Sequence, residues 1–108
     1  MSATVLKSQQ VTVSAADQAA TVSGFPSPGQ VAVQITGTLS ATISFEATVD
    51  GTNWVAFNMI PSNSATAAAS ATAVGAWSQA TTGFAGVRAR CSAYTSGAPV
   101  VTIRYAAL

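Results

Sequence analysis

The side chains able to move protons, ligate a metal or attack an electrophile are few in this chain. They are three carboxylates (Asp17, Glu46 and Asp50), four cations (Lys7, Arg88, Arg90 and Arg104) and one thiol (Cys91), with no histidine. General acid–base chemistry needs titratable groups that converge and whose environments tune them apart. Here each acid has another use. Asp50 precedes Gly51, a dipeptide that supplies the positive φ values of a tight hairpin turn. Glu46 falls on the polar side of an alternating strand, where a cross-strand arginine worth ~0.2–1 kcal/mol is its expected partner. Asp17 lies in a turn-like Ala15-Ala16-Asp17-Gln18 segment, and two distant acids do not make a glycosidase pair. The chain is therefore expected not to be an enzyme. No cluster of His, Cys, Asp or Glu offers a metal site; Asp50 and Asn53 with backbone carbonyls come nearest to a calcium loop. Gly83-Phe84-Ala85-Gly86 leads into a strand rather than a helix, so it lacks the amides that hold a phosphate. No cofactor is expected.

Arg88, Arg90 and Arg104 form the one suggestive charged group. Arg88 and Arg90 share a face of one strand, and the next strand is expected to set Arg104 beside them. Such a trio suits the carboxylates of a partner subunit, or an internal ladder with Glu46. Nucleic acid is the poorer partner, because the net charge is only +1 and no lysines accompany the arginines. Among the aromatic residues, Trp54, just after the predicted hairpin, reads as a core anchor. Trp77 and Tyr94 are the candidates for stacking on a sugar ring. Cys91, alone, excludes an internal disulfide and fits a small core residue in a protein made in a reducing compartment.

The elements that must position these residues are strands, since apolar and polar residues alternate with a period of two in several runs. Val31, Val33 and Ile35 share one face. Ile43, Phe45, Ala47 and Val49 share another, with Thr42, Ser44, Glu46 and Thr48 opposite. Val87, Ala89, Cys91 and Ala93 alternate with Arg88, Arg90 and Ser92, and after Ser96-Gly97 a last strand turns Val101, Ile103 and Tyr105 inward. Trp54 to Ile60 is expected to fold back on the strand before Asp50. Shorter candidates are Val5 to Ser8, Val11 to Ser14, Ala20 to Ser23 and Val74 to Gln79. Ser62 to Ala73 is alanine-rich but lacks a recurring large apolar residue to anchor a helix, so it reads as a loop or weak edge strand. About seven to nine short strands fit an all-β, antiparallel two-sheet β-sandwich, plain or jelly-roll. Residues 1–108 read as a single domain, with residues 1–10 as an N-terminal arm.

Composition narrows the role. Of the 49% of residues that are hydrophobic, 23 are alanine, so the core is thin and only ~5–10 kcal/mol of net stability is expected. Charged residues are 6% of the chain, against roughly 25% in an average soluble protein. A neutral Ser/Thr-rich exterior repels neighbours weakly and fits a protein packed against others. No apolar run approaches the ~20 residues of a spanning helix, and the first ten residues lack a signal-like stretch. Cytoplasmic synthesis and no membrane partner are expected.

The succession Val33-Gln34-Ile35-Thr36-Gly37-Thr38, then Ser44-Phe45-Glu46-Ala47-Thr48-Val49-Asp50-Gly51-Thr52-Asn53-Trp54, resembles small β-sandwich modules of tailed-bacteriophage virions. Gly83-Phe84-Ala85-Gly86-Val87-Arg88-Ala89-Arg90 and Ser92-Ala93-Tyr94-Thr95-Ser96-Gly97 continue the likeness in the same order. It runs from Gln30 to the end of the chain and departs from the pattern at Ser62 to Ala73. The resemblance is strongest to capsid decoration, or cement, proteins. It implies a structural subunit on the outer capsid surface, made in the host cytoplasm, that binds the major capsid protein and sister copies, as a homotrimer. Met1, Val5, Leu6, Lys7, Arg88, Arg90 and Arg104 are then the candidate contact residues. The alternative is a carbohydrate- or receptor-binding module of a head fibre or tail, using Trp77 and Tyr94.

Overall fold

The computed structural model describes residues 6–25 and 27–107. These residues form ten strands and no helix, packed as two antiparallel sheets. The first sheet has the order β1 (Leu6–Thr12), β10 (Val100–Ala107), β3 (Gly29–Thr36), β8 (Gly75–Ala80), β6 (Ile60–Pro61). The second runs β2 (Ala19–Ser23), β9 (Gly86–Gly97), β4 (Leu39–Thr48), β5 (Val55–Ala56), with β7 (Ser70–Ala71) also paired to β4. Early strands pair with late ones, β1 and β3 with β10 and β2 and β4 with β9, which is the wiring of a jelly roll. The count exceeds the expected seven to nine because β5, β6 and β7 are two-residue strands too short to show a pattern.

Alternation put the core where the sequence placed it along the long strands. Val31, Val33 and Ile35 of β3, Ile43, Phe45 and Ala47 of β4, Val87, Ala89 and Cys91 of β9, and Val101, Ile103 and Tyr105 of β10 are all buried between the sheets. Each larger side chain removed from water there contributes roughly 1.5–3 kcal/mol. Two of the crossings between the sheets, β3 to β4 and β9 to β10, lie side by side. Gly37 and Gly97 have φ of 88° and 96°. A Cβ on Gly37 would stand 2.9 Å from the Ala98 carbonyl oxygen, and one on Gly97 2.6 Å from that of Thr38. Glycine is what lets the two crossings lie against each other.

Several expectations are corrected. Val49 is 69% exposed rather than inward, because Thr48 turns in and anchors the following loop: its hydroxyl donates to Asp50 Oδ1 at 3.0 Å and accepts from Gly51 N at 2.9 Å. The turn at Asp50-Gly51 is not a two-residue hairpin. Pairing resumes only at Ala47 with Val55, so residues 48–54 form a wider loop built on the Asp50 carboxylate. Trp54 to Ile60 is not one strand either, since β5 pairs with β4 in one sheet and β6 with β8 in the other. Between them Phe57 and Met59 are buried. Ser62 to Ala73 is loop plus the short edge strand β7, tied down by Phe45 N donating to Ala69 O at 2.8 Å.

The N-terminal candidates Val5 to Ser8 and Val11 to Ser14 resolve into one strand. Leu6–Thr12 pairs with β10 in unbroken register from Leu6 opposite Ala106 to Thr12 opposite Val100. Leu6 to Gln10 therefore belong to the sandwich and not to an arm beyond it. Met1 and Val5 lie outside the described residues.

Candidate functional site

The charged side chains separate onto opposite faces of the sandwich. Arg88 and Arg90 project from the outer face of β9, and Glu46 from β4 directly opposite Arg88. Glu46 Oε1 accepts from Arg88 Nε at 2.7 Å and from Arg90 Nε at 3.0 Å, while Oε2 accepts from Arg90 Nη2 at 3.3 Å. Arg90 Nη1 also donates to Asp17 Oδ1 at 2.8 Å. Burial by itself would push the Glu46 carboxyl up, but hydrogen bonds from Arg90 and Arg88 and their charges outweigh it and hold it below its ordinary value. The same carboxylate holds Arg90 protonated more firmly than usual. Two cations and two acids thus cancel within one ladder. Its arginines are engaged internally rather than offered to a partner, the second of the two roles their spacing allowed.

Arg104 does not join them. The β9 and β10 strands, consecutive in sequence, sit in different sheets, so Arg104 faces out from β10 on the other side of the molecule. There it lies in the register position opposite Ser8, beside Leu6, which is 50% exposed. Lys7, one residue on, alternates to the opposite side and stands near Gly24. Of the expected contact residues, the structure brings together Leu6 and Arg104 and leaves Arg88 and Arg90 on the far face.

The face around Arg104 is the outer surface of the first sheet. It is built from alternate residues of β1, β10, β3 and β8: Ser8 and Gln10, Thr102 and Arg104, Ala32 and Gln34, Ala76 and Ser78. A shallow depression of about 270 Å³ runs between Ala32, Gln34, Ala76, Thr102 and Arg104. Gln10 Nε2 donates to Thr102 Oγ1 at 2.9 Å, fixing one rim. Arg104 is the one charge on this face, with no ion pair among the described residues. Period-two alternation had Thr102 and Arg104 facing away from the inward Val101, Ile103 and Tyr105; what the pattern lacked was the knowledge that four strands would set this face together.

The two tryptophans exchange their expected places. Trp77 is 8% exposed and packs in the core, its ring 5.4 Å from that of Phe45. It cannot stack on a ligand. Tyr94 would face outward with Arg88, Arg90 and Ser92 if β9 alternated throughout. However, β9 carries register shifts between Cys91 and Ala93 and again between Tyr94 and Ser96. The first bulge flips the phase, exposing Ala93 and turning Tyr94 toward the core, where its hydroxyl donates to Gly97 O at 2.6 Å. Trp54 is also half-exposed but lies outside the core, with the Arg88 guanidinium 4.4 Å from its ring centre.

The loop after β4 shows why it makes a poor calcium site. Both oxygens of Asp50 are taken by donors: Asn53 N at 2.7 Å and Thr52 N at 2.8 Å on Oδ1, and Asn53 Nδ2 at 2.7 Å on Oδ2. These bonds hold the Asp50 carboxyl far below the usual carboxylate range. Cys91 is fully buried, and burial pushes its thiol up.

No family model matches the chain, and no curated protein sequence does so either. Solved structures do share its fold. The PBSX exported protein XepA superposes with a TM-score of 0.76 at 16% identity over 94% of this chain. The chain spans 38% of XepA's length. The SPBc2 prophage-derived protein YomS superposes with a TM-score of 0.66 at 16% identity, over 97% of this chain and 98% of its own. The sandwich described above is thus an architecture used by phage-derived proteins, in YomS as essentially the whole chain.

Proposed function

We propose that this chain is a structural protein of a tailed-phage virion that decorates the outer capsid surface, binding the major capsid protein and sister copies and catalysing no reaction. The observation that carries the reading is the end-to-end agreement in fold with a prophage-derived protein of the same single-sandwich size. The surface supports it. The polar face of the first sheet, with Arg104 as its one charge, suits adhesion to a repeating lattice, where many weak contacts act together. Leu6 at its margin supplies apolar area, and Arg104 a donor fork for a capsid carboxylate. Assembly as a homotrimer would raise the number of contacts per bound unit further.

The test is reconstitution. Purified chain is added to capsids of its phage that lack it, and bound copies are counted by sedimentation and quantitative gel. The expected result is saturable binding in fixed ratio to the major capsid protein and greater resistance of the heads to heat. Binding confined to tails, or no binding to either, would refute the assignment.

A further inference from the structure

The first sheet ends on β1 and β6, and the second on β2 and β5. Of these margins, β5 and β6 are two residues long, and β6 carries Pro61. On β2, the Thr21 N–H is already taken by Gln9 Oε1 at 2.6 Å. The β1 strand differs. Its seven residues pair with β10 along one side, and among the described residues no backbone hydrogen bond leaves the other side. Six of the seven are exposed. An extended strand turns its backbone N–H and C=O groups alternately to its two sides, so this edge holds a row of unused donors and acceptors.

Charge restricts which strand fits there. Glu46 and Asp17 engage Arg88 and Arg90, and neutral donors saturate the Asp50 carboxylate. Lys7 and Arg104 are the two cations with no ion pair among the described residues, and both belong to this margin. Arg104 lies opposite Ser8 on the outer face, while Lys7, the residue before Ser8, points to the other face near Gly24. Strands stand ~4.8 Å apart, so an added strand would run about 10 Å from β10, a gap that arginine and glutamate side chains close between them across the small Ser8. The residues set opposite Lys7 and Ser8 are neighbours in the added strand's own sequence. An inward-pointing charge on an edge discourages pairing with a strand that lacks its complement. Leu6–Thr12 contains no acid, so a second copy of β1 is the wrong occupant. We propose that the free edge of β1 takes an extended segment of a partner protein as an added strand, with two successive acidic residues meeting Lys7 and Arg104. The inference rests on the proposed role only for the existence of a protein partner, and its test uses no capsid, so the two readings can fail separately.

The test is a titration of the full chain with short synthetic peptides, followed by ¹H–¹⁵N correlation spectra. The probe is a peptide of threonine and valine with two adjacent glutamates at its centre, and its counterparts carry two glutamines or two lysines there. The glutamate peptide should give saturable shifts confined to β1 and the neighbouring part of β10, and the lysine peptide none. Two further versions of the glutamate peptide, N-methylated at alternate residues in opposite phases, separate strand addition from charge attraction: one should keep its binding and the other lose it. Lys7→Gln and Arg104→Gln, both at exposed positions, should leave Tm unchanged and each weaken the glutamate peptide about two- to fivefold, the factor one cross-strand charge pair supplies. The double variant should bind the glutamate and glutamine peptides alike. No shifts with the glutamate peptide, shifts elsewhere, equal binding of all three peptides by the native chain, the same outcome for both methylation phases, or unaltered affinity in both single variants would overturn the proposal.

Discussion

Replacing Glu46 with glutamine removes a charge from the centre of the outer ladder while keeping the shape of the side chain. In the native protein one oxygen accepts from both arginine Nε atoms and the other from Arg90 Nη2 at 3.3 Å. Glutamine keeps the first oxygen but makes its two bonds neutral-acceptor bonds, and it turns an amide N–H₂ toward Arg90. A charge-assisted bond contributes about 1.5–3 kcal/mol against about 0.5–1.5 for a neutral one. The Glu46 side chain is 15% exposed and those of the arginines 26%, so water replaces part of the loss, and the expected net cost is ~1–2 kcal/mol. For a domain of this size each kcal/mol lowers Tm by roughly 4–8 °C.

The pH dependence supplies the decisive control. Glu46 sits below its ordinary value of 4.5 in the folded state. The ladder's contribution is therefore complete above that value and is lost as pH falls through the folded-state value. Asp50, also held low, titrates in both proteins and drops out of their difference. Urea unfolding of the native protein and the Glu46→Gln variant should show the gap near pH 7 and show it shrinking once the pH falls below the ordinary carboxylate value of 4.5. A gap under ~0.3 kcal/mol near neutrality, or one that does not shrink in acid, would refute the reasoning.

Trp77→Ala should empty a core site against Phe45 and cost about 3–5 kcal/mol, around half of the expected stability; urea unfolding measures it, and a loss under ~1 kcal/mol would return Trp77 to the surface. Cys91 is sealed in the core with its thiol pushed up, so a thiol reagent should label it only as the chain unfolds, and the rate should rise with urea; fast labelling of native protein would contradict its burial. Arg104→Glu should leave urea stability within ~0.5 kcal/mol but sharply weaken capsid binding in the reconstitution, whereas Arg88→Ala, which disrupts the internal ladder, should lower stability more than it lowers binding per folded molecule.

Sequence alone determined the faces of the long strands. The alternation Val31-Val33-Ile35 and Val101-Ile103-Tyr105 survives intact, because side chains on a strand take opposite faces whatever the strand pairs with. It also determined that Glu46 would meet an arginine across strands and that Cys91 would be buried. Pairing is a different matter, since alternation says which residues of a strand look the same way and nothing about which sheet the strand enters. The crossing after Gly97 sends β10 to the opposite sheet, and that alone parts Arg104 from Arg88 and Arg90. A bulge adds one residue with no mark in the local pattern, and one at Ser92 turned Tyr94 toward the core side of its strand, half-buried. Trp54 and Trp77 exchanged their expected places for a related reason. Trp54 lies in a loop that returns over the outer face of β9, while Trp77 lies opposite Val33 on the inner face of its sheet. Only the packed chain could decide these, because each depends on contacts between residues far apart in sequence.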